Sequence, residues 1–446
     1  MKSLYRVLIS LLVMLTTLVL ANCGGSYGCN VTFGSSTCTP SGSGLGSGTG
    51  SGGGGTGGTG GGGGGGGGSS KATAFAYVVD QGGTIDGYAL NTSGATFPTI
   101  SGYTAPVVPT NDGGVGMVVA QQQYLYVGFG ATNQIFGWTI GSNGSLTAIS
   151  QSPFSATFLN QFVVGVGQDN MIVNPAGTLL FVSDATLDDI YVFQIGSGGV
   201  LSAVTGSPFA CPTGFGTPMN LATDGLGKYL YVVDGSFTTH QGAQIAAFTI
   251  GTGSSLGVLT PVTGSPFAFQ MWQLQGEPTG QFLIGTSGST AYYPGVTDNA
   301  NLYVFSITQS GADAGAITEV TKQPTVYSPF AIAVQSNPNG NLVYSFGFND
   351  AGTAFNPIEG YTITSSGGLT ADSNSPFSIT GAEGTWGQFD QSGSYLFVYA
   401  SYLDSTTNTT VTRLAPLTVG TGGTLSQAVS AATLATQGFW AVTDPQ

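Results

Sequence analysis

The fold of this chain is decided by one short stretch and its copies: Tyr229-Leu230-Tyr231-Val232, which lies between two glycine-rich turns. An unbroken run of tyrosine, leucine and valine of this length is typical of a buried β-strand. Similar runs occupy six other places in the chain, at residues 75–79, 124–127, 179–182, 282–284, 342–344 and 395–398. Seven copies of one strand predict a protein built from seven similar units.

Further strands surround each copy. A second apolar strand follows it, as Ile245–Ile250 follows Tyr229–Val232, and the units also contain an outer strand such as Ile317–Val320 and an inner strand such as Met171–Val173. Four short strands in each of seven units predict an all-β protein, a seven-bladed β-propeller. A Ser-Pro-Phe tripeptide recurs at spacings that suit blades with loops of variable length, ending at Phe154, Phe209, Phe267, Phe330 and Phe377.

The two ends of the repeat region complement each other. The first unit begins at its second strand, Phe75–Val79, with no inner strand ahead of it. The chain ends in Phe439-Trp440-Ala441-Val442-Thr443-Asp444-Pro445, which matches the inner strand and turn Ile172-Val173-Asn174-Pro175. We therefore expect the C-terminal strand to complete the first blade and to remove an exposed sheet edge.

Composition narrows the classes of partner. The 446 residues carry a net charge of −14, and only 6% of them are charged. This acidic balance argues against nucleic acid, because phosphate binding depends on lysine and arginine. With 41% hydrophobic residues the chain can form a large core outside its glycine tract. We expect a monomer without cofactors.

The N-terminus has the features of an export signal. Lys2 and Arg6 precede an uncharged apolar run at 7–21, which ends in Leu20-Ala21-Asn22-Cys23 and resembles a bacterial lipobox. This predicts a signal peptide at 1–22 and a lipid anchor on Cys23; the alternative is an ordinary exported protein whose Cys23 pairs with another thiol. The expected location is the bacterial cell envelope, facing the periplasm or the cell surface, with membrane contact through the anchor only.

A tether separates the anchor from the repeats. Residues 41–70 are glycine, serine and threonine with one leucine, and a random coil of this length reaches about 30 Å. The predicted organisation is a signal peptide at 1–22, a lipidated and tethered segment at 23–70 and a propeller at 71–446.

The cysteines have no obvious metal-binding arrangement. If Cys23 is acylated, Cys29 and Cys38 could close a small disulfide loop in an oxidising compartment, which leaves Cys211 alone. Zinc would need clustered cysteine and histidine ligands, and the single histidine, His240, lies far along the chain from that pair. We predict no metal site.

A family resemblance follows from the repeat starts. Tyr77-Val78-Val79-Asp80 and Phe181-Val182-Ser183-Asp184, followed by segments such as Asp189–Phe193, resemble the YVTN-type repeats of the lactonase-like seven-bladed propellers. That family includes bacterial 6-phosphogluconolactonases. The resemblance covers residues 73–446 and implies the propeller fold, with lactone hydrolysis, a carboxylic ester hydrolase activity, as an implied function.

Polar and aromatic residues cluster in the loops that lead into the inner strands, where propellers bind ligands over the central channel. We predict a ligand-binding set from these loops and strand starts: Gln168, Asn170, Asn220, Trp272, Gln273, Trp386, Gln388 and Trp440. The alternative for the three tryptophans is packing between adjacent blades, which is the commoner role of large aromatics at a repeated position.

Carboxylates in the same loops are candidate catalytic groups. Asp169 and Glu383 belong to different blades but can face one channel, where one of them could act as a general base; the alternative, which we favour, is that each caps a turn. The recurrence of an aspartate after the repeated strand, as at Asp80, points to turn chemistry. Asp184, Asp188 and Asp189 lack the spacing of a calcium loop.

Two functions fit these observations. The first is a surface scaffold that binds a neutral glycan or a protein. The second is hydrolysis of an unphosphorylated lactone outside the cytoplasm. A phosphorylated lactone is a poor substrate for this chain, because only Lys228, Lys322 and Arg413 follow Lys71 as basic residues apart from His240.

Overall fold

The repeat region folds into seven antiparallel sheets arranged as the blades of a β-propeller, which confirms the predicted fold class. The computed structural model describes residues 72–80, 82–91, 97–101, 103–108, 114–130, 132–155, 170–184, 187–235, 244–287, 300–335, 340–347, 357–379, 384–404, 409–434 and 438–444. The predicted signal peptide, Cys23, Cys29, Cys38 and the tether lie outside these residues. Within them, no helix is long and apolar enough to cross a bilayer.

Each blade contains one inner strand, which the C-terminus supplies for blade 1. From blade 1 to blade 7 the inner strands are Gly438–Thr443, Gly114–Ala120, Met171–Val173, Pro218–Thr223, Gln273–Gly276, Ala331–Val334 and Trp386–Phe389. The second strands, which contain the repeated apolar run, are Ala74–Asp80, Tyr124–Phe129, Leu179–Asp184, Tyr229–Asp234, Phe282–Thr286, Leu342–Phe346 and Tyr395–Asp404.

The outer half of each blade is more variable. The third strands are Ile85–Leu90, Gln134–Ile140, Asp189–Ile195, Ile245–Ile250, Asn301–Ile307, Glu359–Ile363 and Thr409–Val419. Blades 2 to 7 add the outer strands Leu146–Ala148, Leu201–Ala203, Leu259–Pro261, Ile317–Pro324, Leu369–Ala371 and Leu425–Gln427, with short extra strands at Phe154–Ser155, Phe209–Ala210 and Ala432–Leu434. Single-turn 3₁₀ helices lie at Ser197–Gly199, Gly253–Ser255 and Thr421–Gly423.

The second strands are buried on both faces, because every blade is packed between two others. All six residues of Leu179–Asp184 and of Tyr229–Asp234 are buried. The core between blades 1 and 2, for example, joins Phe75 and Tyr77 to Leu125. Burial on both faces explains why the sequence shows continuous apolar runs instead of an alternation of apolar and polar residues.

The C-terminal strand closes the ring. Gly438–Thr443 pairs antiparallel with Ala74–Asp80, in a register that runs from Thr443 opposite Phe75 to Gly438 opposite Asp80. The predicted closure is therefore confirmed, and the second strand of blade 1 has a partner on each side. No peptide connects the inner strand of this blade to its second strand, so the seam depends on non-covalent contacts.

Tyrosines on the second strands connect neighbouring blades. The hydroxyl of Tyr231 in blade 4 donates to the carbonyl oxygen of Gly315 in blade 5 at 3.0 Å. Gly315 has a φ of +92°, in the left-handed region where other residues are strained. Equivalent bonds join Tyr77 to Gly144, Tyr126 to Gly199, and Tyr344 to Gly423.

Four of the five Ser-Pro-Phe tripeptides hold the outer edge of a blade. In blade 3 the hydroxyl of Ser207 accepts a hydrogen bond from the backbone N–H of Val192 at 2.9 Å, and Phe209 pairs with Ile190. The same bond is made by Ser152, Ser265 and Ser375. The copy that ends at Phe330 is different, because Phe330 leads directly into the inner strand of blade 6. This different place accounts for the uneven spacing on either side of Phe330.

Candidate functional site

The propeller axis contains a cavity of about 470 Å³. Every blade contributes an inner-strand residue to its wall: Val442, Val118, Ile172, Ala222, Gln275, Ala333 and Gln388 for blades 1 to 7. Turns between inner and second strands, including Gln121, Gln122 and Gln391, line it as well. The cavity is thus built mainly from aliphatic side chains and neutral amides.

Charge is nearly absent from this wall. Among the described residues that line the cavity there is no lysine, arginine or histidine, and the acidic one is Asp224. The Asp224 carboxylate accepts hydrogen bonds from the backbone N–H groups of Lys228 at 2.6 Å and Tyr229 at 2.8 Å. Burial raises the pKa of Asp224, although these bonds and the Lys228 charge oppose the shift. Its hydrogen bonds fit a turn-capping role.

Three predicted ligand-binding residues line the cavity: Trp386, Gln388 and Trp440. The Gln388 side chain is exposed, in contrast to its buried neighbours Gly387 and Phe389. No hydrogen bond involves its amide among the described residues. It is therefore a hydrogen-bonding group on the cavity wall that is available to a bound molecule.

The tryptophans combine the two roles that the sequence left open. Trp386 is 6% exposed and packs edge-to-face on Phe330 of blade 6, with 4.9 Å between ring centroids. Trp440 is 1% exposed and stacks on Tyr399 of blade 7 at 6.2 Å. Both pack between blades while bordering the cavity. Neither indole N–H has an acceptor among the described residues.

Trp272 takes part in the same aromatic arrangement but does not border the cavity as the other two do. Its ring lies 5.4 Å from that of Phe330, and its backbone N–H donates to the carbonyl of Thr286. Phe330 therefore connects the tryptophans of blades 5 and 7. In this place the phenylalanine of a Ser-Pro-Phe tripeptide packs against two tryptophans from neighbouring blades.

The predicted amides of blades 4 and 5 join neighbouring inner strands. Asn220 is buried, and its Oδ1 accepts from the N–H of Leu274 at 3.0 Å. Gln273 is also buried, and its Oε1 accepts from the N–H of Ile332 at 2.7 Å. In both contacts an amide satisfies a backbone group that the neighbouring inner strand presents across the blade boundary.

One further residue, Gln275, shows the same use of its amide. Gln275, which the sequence prediction did not include, accepts from the N–H of Val334 at 2.8 Å and donates to the carbonyl of Ile332 at 3.1 Å. Asn170 lies against blade 2, where a Cβ atom on Gly116 would come within 2.8 Å of its Oδ1. A glycine at position 116 therefore gives this amide its room.

The proposed catalytic residues Asp169 and Glu383 lie outside the described residues, as do Gln168 and His240. Within the described part, no group of three or more histidine, cysteine or acidic residues could hold a metal ion. Asp184 accepts from the N–H of Leu187 at 3.0 Å, and Asp80 accepts from that of Thr84 at 2.7 Å. In both contacts the aspartate side chain caps a turn, as its recurrence after the repeated strand indicated.

Cys211 is a free cysteine in the loop that leads into blade 4. Burial, followed by the charges of Asp188, Asp189 and Asp234, raises the pKa of its thiol to about 12. The thiol therefore stays protonated at neutral pH and is a poor nucleophile. It does not contribute a reactive group to the propeller.

Fold and cavity together define a seven-bladed β-propeller whose channel wall, in the described residues, is almost uncharged. No protein-family model matches the chain, and no curated protein matches it. Solved structures do. A proposed 6-phosphogluconolactonase of Bacteroides fragilis aligns over 84% of this chain and 99% of its own, with 15% identity and a TM-score of 0.57.

Two further solved structures also align with most of this chain. A proposed 6-phosphogluconolactonase of Bacteroides uniformis aligns over 82% of this chain and 97% of its own, with 14% identity and a TM-score of 0.56. A protein from Lactobacillus plantarum aligns over 83% and 98%, with 15% identity and a TM-score of 0.56. At these identities the likeness concerns the fold.

Proposed function

We propose that this protein binds a neutral, hydroxylated ligand of the carbohydrate class in its central cavity. The observation that carries the proposal is the wall itself: seven inner strands present aliphatic side chains and amides without a described basic residue. Phosphate and carboxylate ligands are usually held by arginine or lysine. A neutral ligand needs only hydrogen-bonding groups and apolar surface.

Gln388 supplies the hydrogen-bonding group. Its amide has two donors and one acceptor oxygen, which match the mixed donor and acceptor character of sugar hydroxyls. Trp386 and Trp440 border the same cavity, and aromatic side chains combine large apolar surface with a polar N–H. The volume of about 470 Å³ lies within the range of small-molecule sites.

Tethering at the cell envelope is part of the proposal. The apolar run at 7–21, the lipobox-like Leu20–Cys23 and the glycine-rich segment at 41–70 support an exported lipoprotein anchored through Cys23. A tether of this length gives the propeller a reach of about 30 Å from the membrane. The protein would then act as a scaffold that captures glycan outside the cytoplasm.

A binding measurement on the full chain tests the cavity. Titration calorimetry with a panel of neutral oligosaccharides should yield at least one ligand, and Gln388→Ala should weaken its binding by about tenfold, which corresponds to one lost hydrogen bond. Gln194→Ala is the matched control, because Gln194 is an exposed glutamine on the third strand of blade 3. Equal loss in both variants, or no binding by the panel, would contradict the proposal.

A second candidate is hydrolysis of an unphosphorylated lactone. The specific observation in its favour is the likeness of fold to the two proposed 6-phosphogluconolactonases, which extends over nearly their whole length. Asp169 and Glu383 are the candidate acids. Hydrolysis of a neutral lactone that is abolished in Asp169→Ala or Glu383→Ala would support this activity, and no hydrolysis above background across a lactone panel would exclude it in practice.

A further inference from the structure

The wall of the central cavity repeats one inner-strand position in blades 2 to 7. The residue at this position lies opposite the third residue of the repeated apolar run, as Gln388 lies opposite Phe397. In blade order the six residues are Val118, Ile172, Ala222, Gln275, Ala333 and Gln388, and all of them line the cavity. Aliphatic side chains and amides alternate irregularly in this set, so the wall is not uniform around the axis.

The amides that are available to a bound molecule lie on blade 7. The Gln275 amide is used within the protein, because its Oε1 accepts from the N–H of Val334 at 2.8 Å and its Nε2 donates to the carbonyl of Ile332 at 3.1 Å. The Gln388 side chain is exposed and makes no hydrogen bond with a described residue. Gln391, in the turn that follows, is also exposed, lines the cavity and has a side chain without a hydrogen-bond partner in the described ranges. Blade 7 therefore presents two neutral amides to the cavity.

Blades 2 and 3 present aliphatic surface instead. Val118, Ile172 and Val173 line the cavity and are half-buried. Their buried parts pack against the cores between blades 2 and 3 and between blades 3 and 4. Neighbouring inner strands follow one another in chain order, so blade 3 is as far around the ring from blade 7 as a blade can be. The aliphatic side and the amide side thus face each other across the cavity.

This two-sided wall narrows the class of ligand. A molecule that is hydroxylated on all sides suits only blade 7, because a hydroxyl held against aliphatic side chains loses its hydrogen bonds to water without replacement. Apolar ligand surface, in contrast, gains free energy when it covers the aliphatic side and displaces water from it. The described wall contains no basic residue that would hold a charged group.

We propose that the ligand is a neutral glycoside that carries an apolar substituent. Its sugar hydroxyls bond with the amides of Gln388 and Gln391. Its alkyl or aryl group covers Val118 and Ile172 on the other side of the cavity. This inference rests on the proposed function, since it assigns a more specific ligand to the same cavity.

Calorimetric titration of the full chain with paired glycosides tests the inference. The pairs are the methyl and butyl β-glycosides of glucose, galactose, mannose and N-acetylglucosamine, each used below the concentration at which it aggregates. For at least one sugar, the butyl glycoside should bind at least about tenfold more tightly than the methyl glycoside. The additional methylene groups would give about sixtyfold if all of them left water completely, at roughly fourfold for each.

Substitutions on the aliphatic side locate the substituent. Val118→Thr and Ile172→Thr should each reduce the butyl advantage by about threefold and leave the affinity for the methyl glycoside within about twofold of the wild type, because they replace apolar surface without touching blade 7. Val320→Thr is the matched control, since Val320 is 43% exposed on the outer strand of blade 5 and does not line the cavity. Two variants on different blades keep the test decisive if one of them does not fold.

The outcomes distinguish this inference from the proposed function. If methyl glycosides bind and Gln388→Ala weakens them, but butyl glycosides bind no more tightly, the inference is overturned and the proposed function stands. If neither member of any pair binds, both are contradicted. A butyl advantage that is as large in Val118→Thr and Ile172→Thr as in Val320→Thr would also overturn the inference.

Discussion

Removal of residues 438–446 should abolish cooperative folding of the propeller. The deleted strand buries Phe439, Trp440 and Val442, which are 7%, 1% and 6% exposed. Full burial of an aromatic contributes roughly 3–5 kcal/mol and that of a valine about 2 kcal/mol, so the three side chains together account for about 8–12 kcal/mol, an upper bound because the unfolded chain already buries part of this surface. The total stability of a folded protein is typically about 5–15 kcal/mol.

The loss would extend beyond those side chains. The second strand of blade 1, Ala74–Asp80, would become an unpaired edge, and the ring of Tyr399 would lose its stacking partner. Urea unfolding followed by circular dichroism and by tryptophan fluorescence is the appropriate assay. A chain lacking residues 41–70, the predicted tether, is the control and should unfold like the full chain. If the truncated protein still unfolds in one transition, with a urea midpoint close to that of the full chain, the closure argument is refuted.

Three further outcomes follow from described contacts. Tyr231→Phe should lower the free energy of unfolding by about 1–2 kcal/mol in urea denaturation, since it removes the bond to Gly315. Ser207→Ala should cost about 1 kcal/mol in the same assay, because it leaves the N–H of Val192 unpaired, and an unchanged midpoint would contradict this assignment. The Tm should be higher near pH 5 than at pH 8, because burial raises the pKa of several acids above 3.8 and their protonation then favours the folded state; a flat Tm profile would oppose it. These acids are Asp86, Asp189, Asp224 and Asp372.

The fold was predictable because its main signal is periodic. Each apolar run such as Tyr229–Val232 indicates a strand, and seven such runs at similar spacing leave few alternatives to a ring of blades. Closure of the ring was predictable for the same reason, because Phe439–Pro445 repeats the pattern of an internal inner strand and its turn. A repeated strand pattern requires only apolar residues at the buried positions, so it remains visible even when the individual side chains differ between blades.

The role of individual polar residues was less predictable. Asn220 and Gln388 are both amides on inner strands, but one is buried against the backbone of the next blade and the other is exposed on the cavity wall. Residue type alone cannot separate these cases, because the outcome depends on strand register. Gln275, which the sequence prediction did not include, joins blades 5 and 6 through contacts with Ile332 and Val334, and no sequence pattern marks residues that far apart as partners.

The bonds from tyrosine to glycine between blades suggest how such a ring can grow. A unit such as blade 2 contains both Tyr126, which donates to the following blade, and Gly144, which accepts from the preceding one. A gene segment duplicated with both residues would deliver a module that is already matched to its neighbours on either side. Rings could thereby change their number of units without new interfaces having to arise.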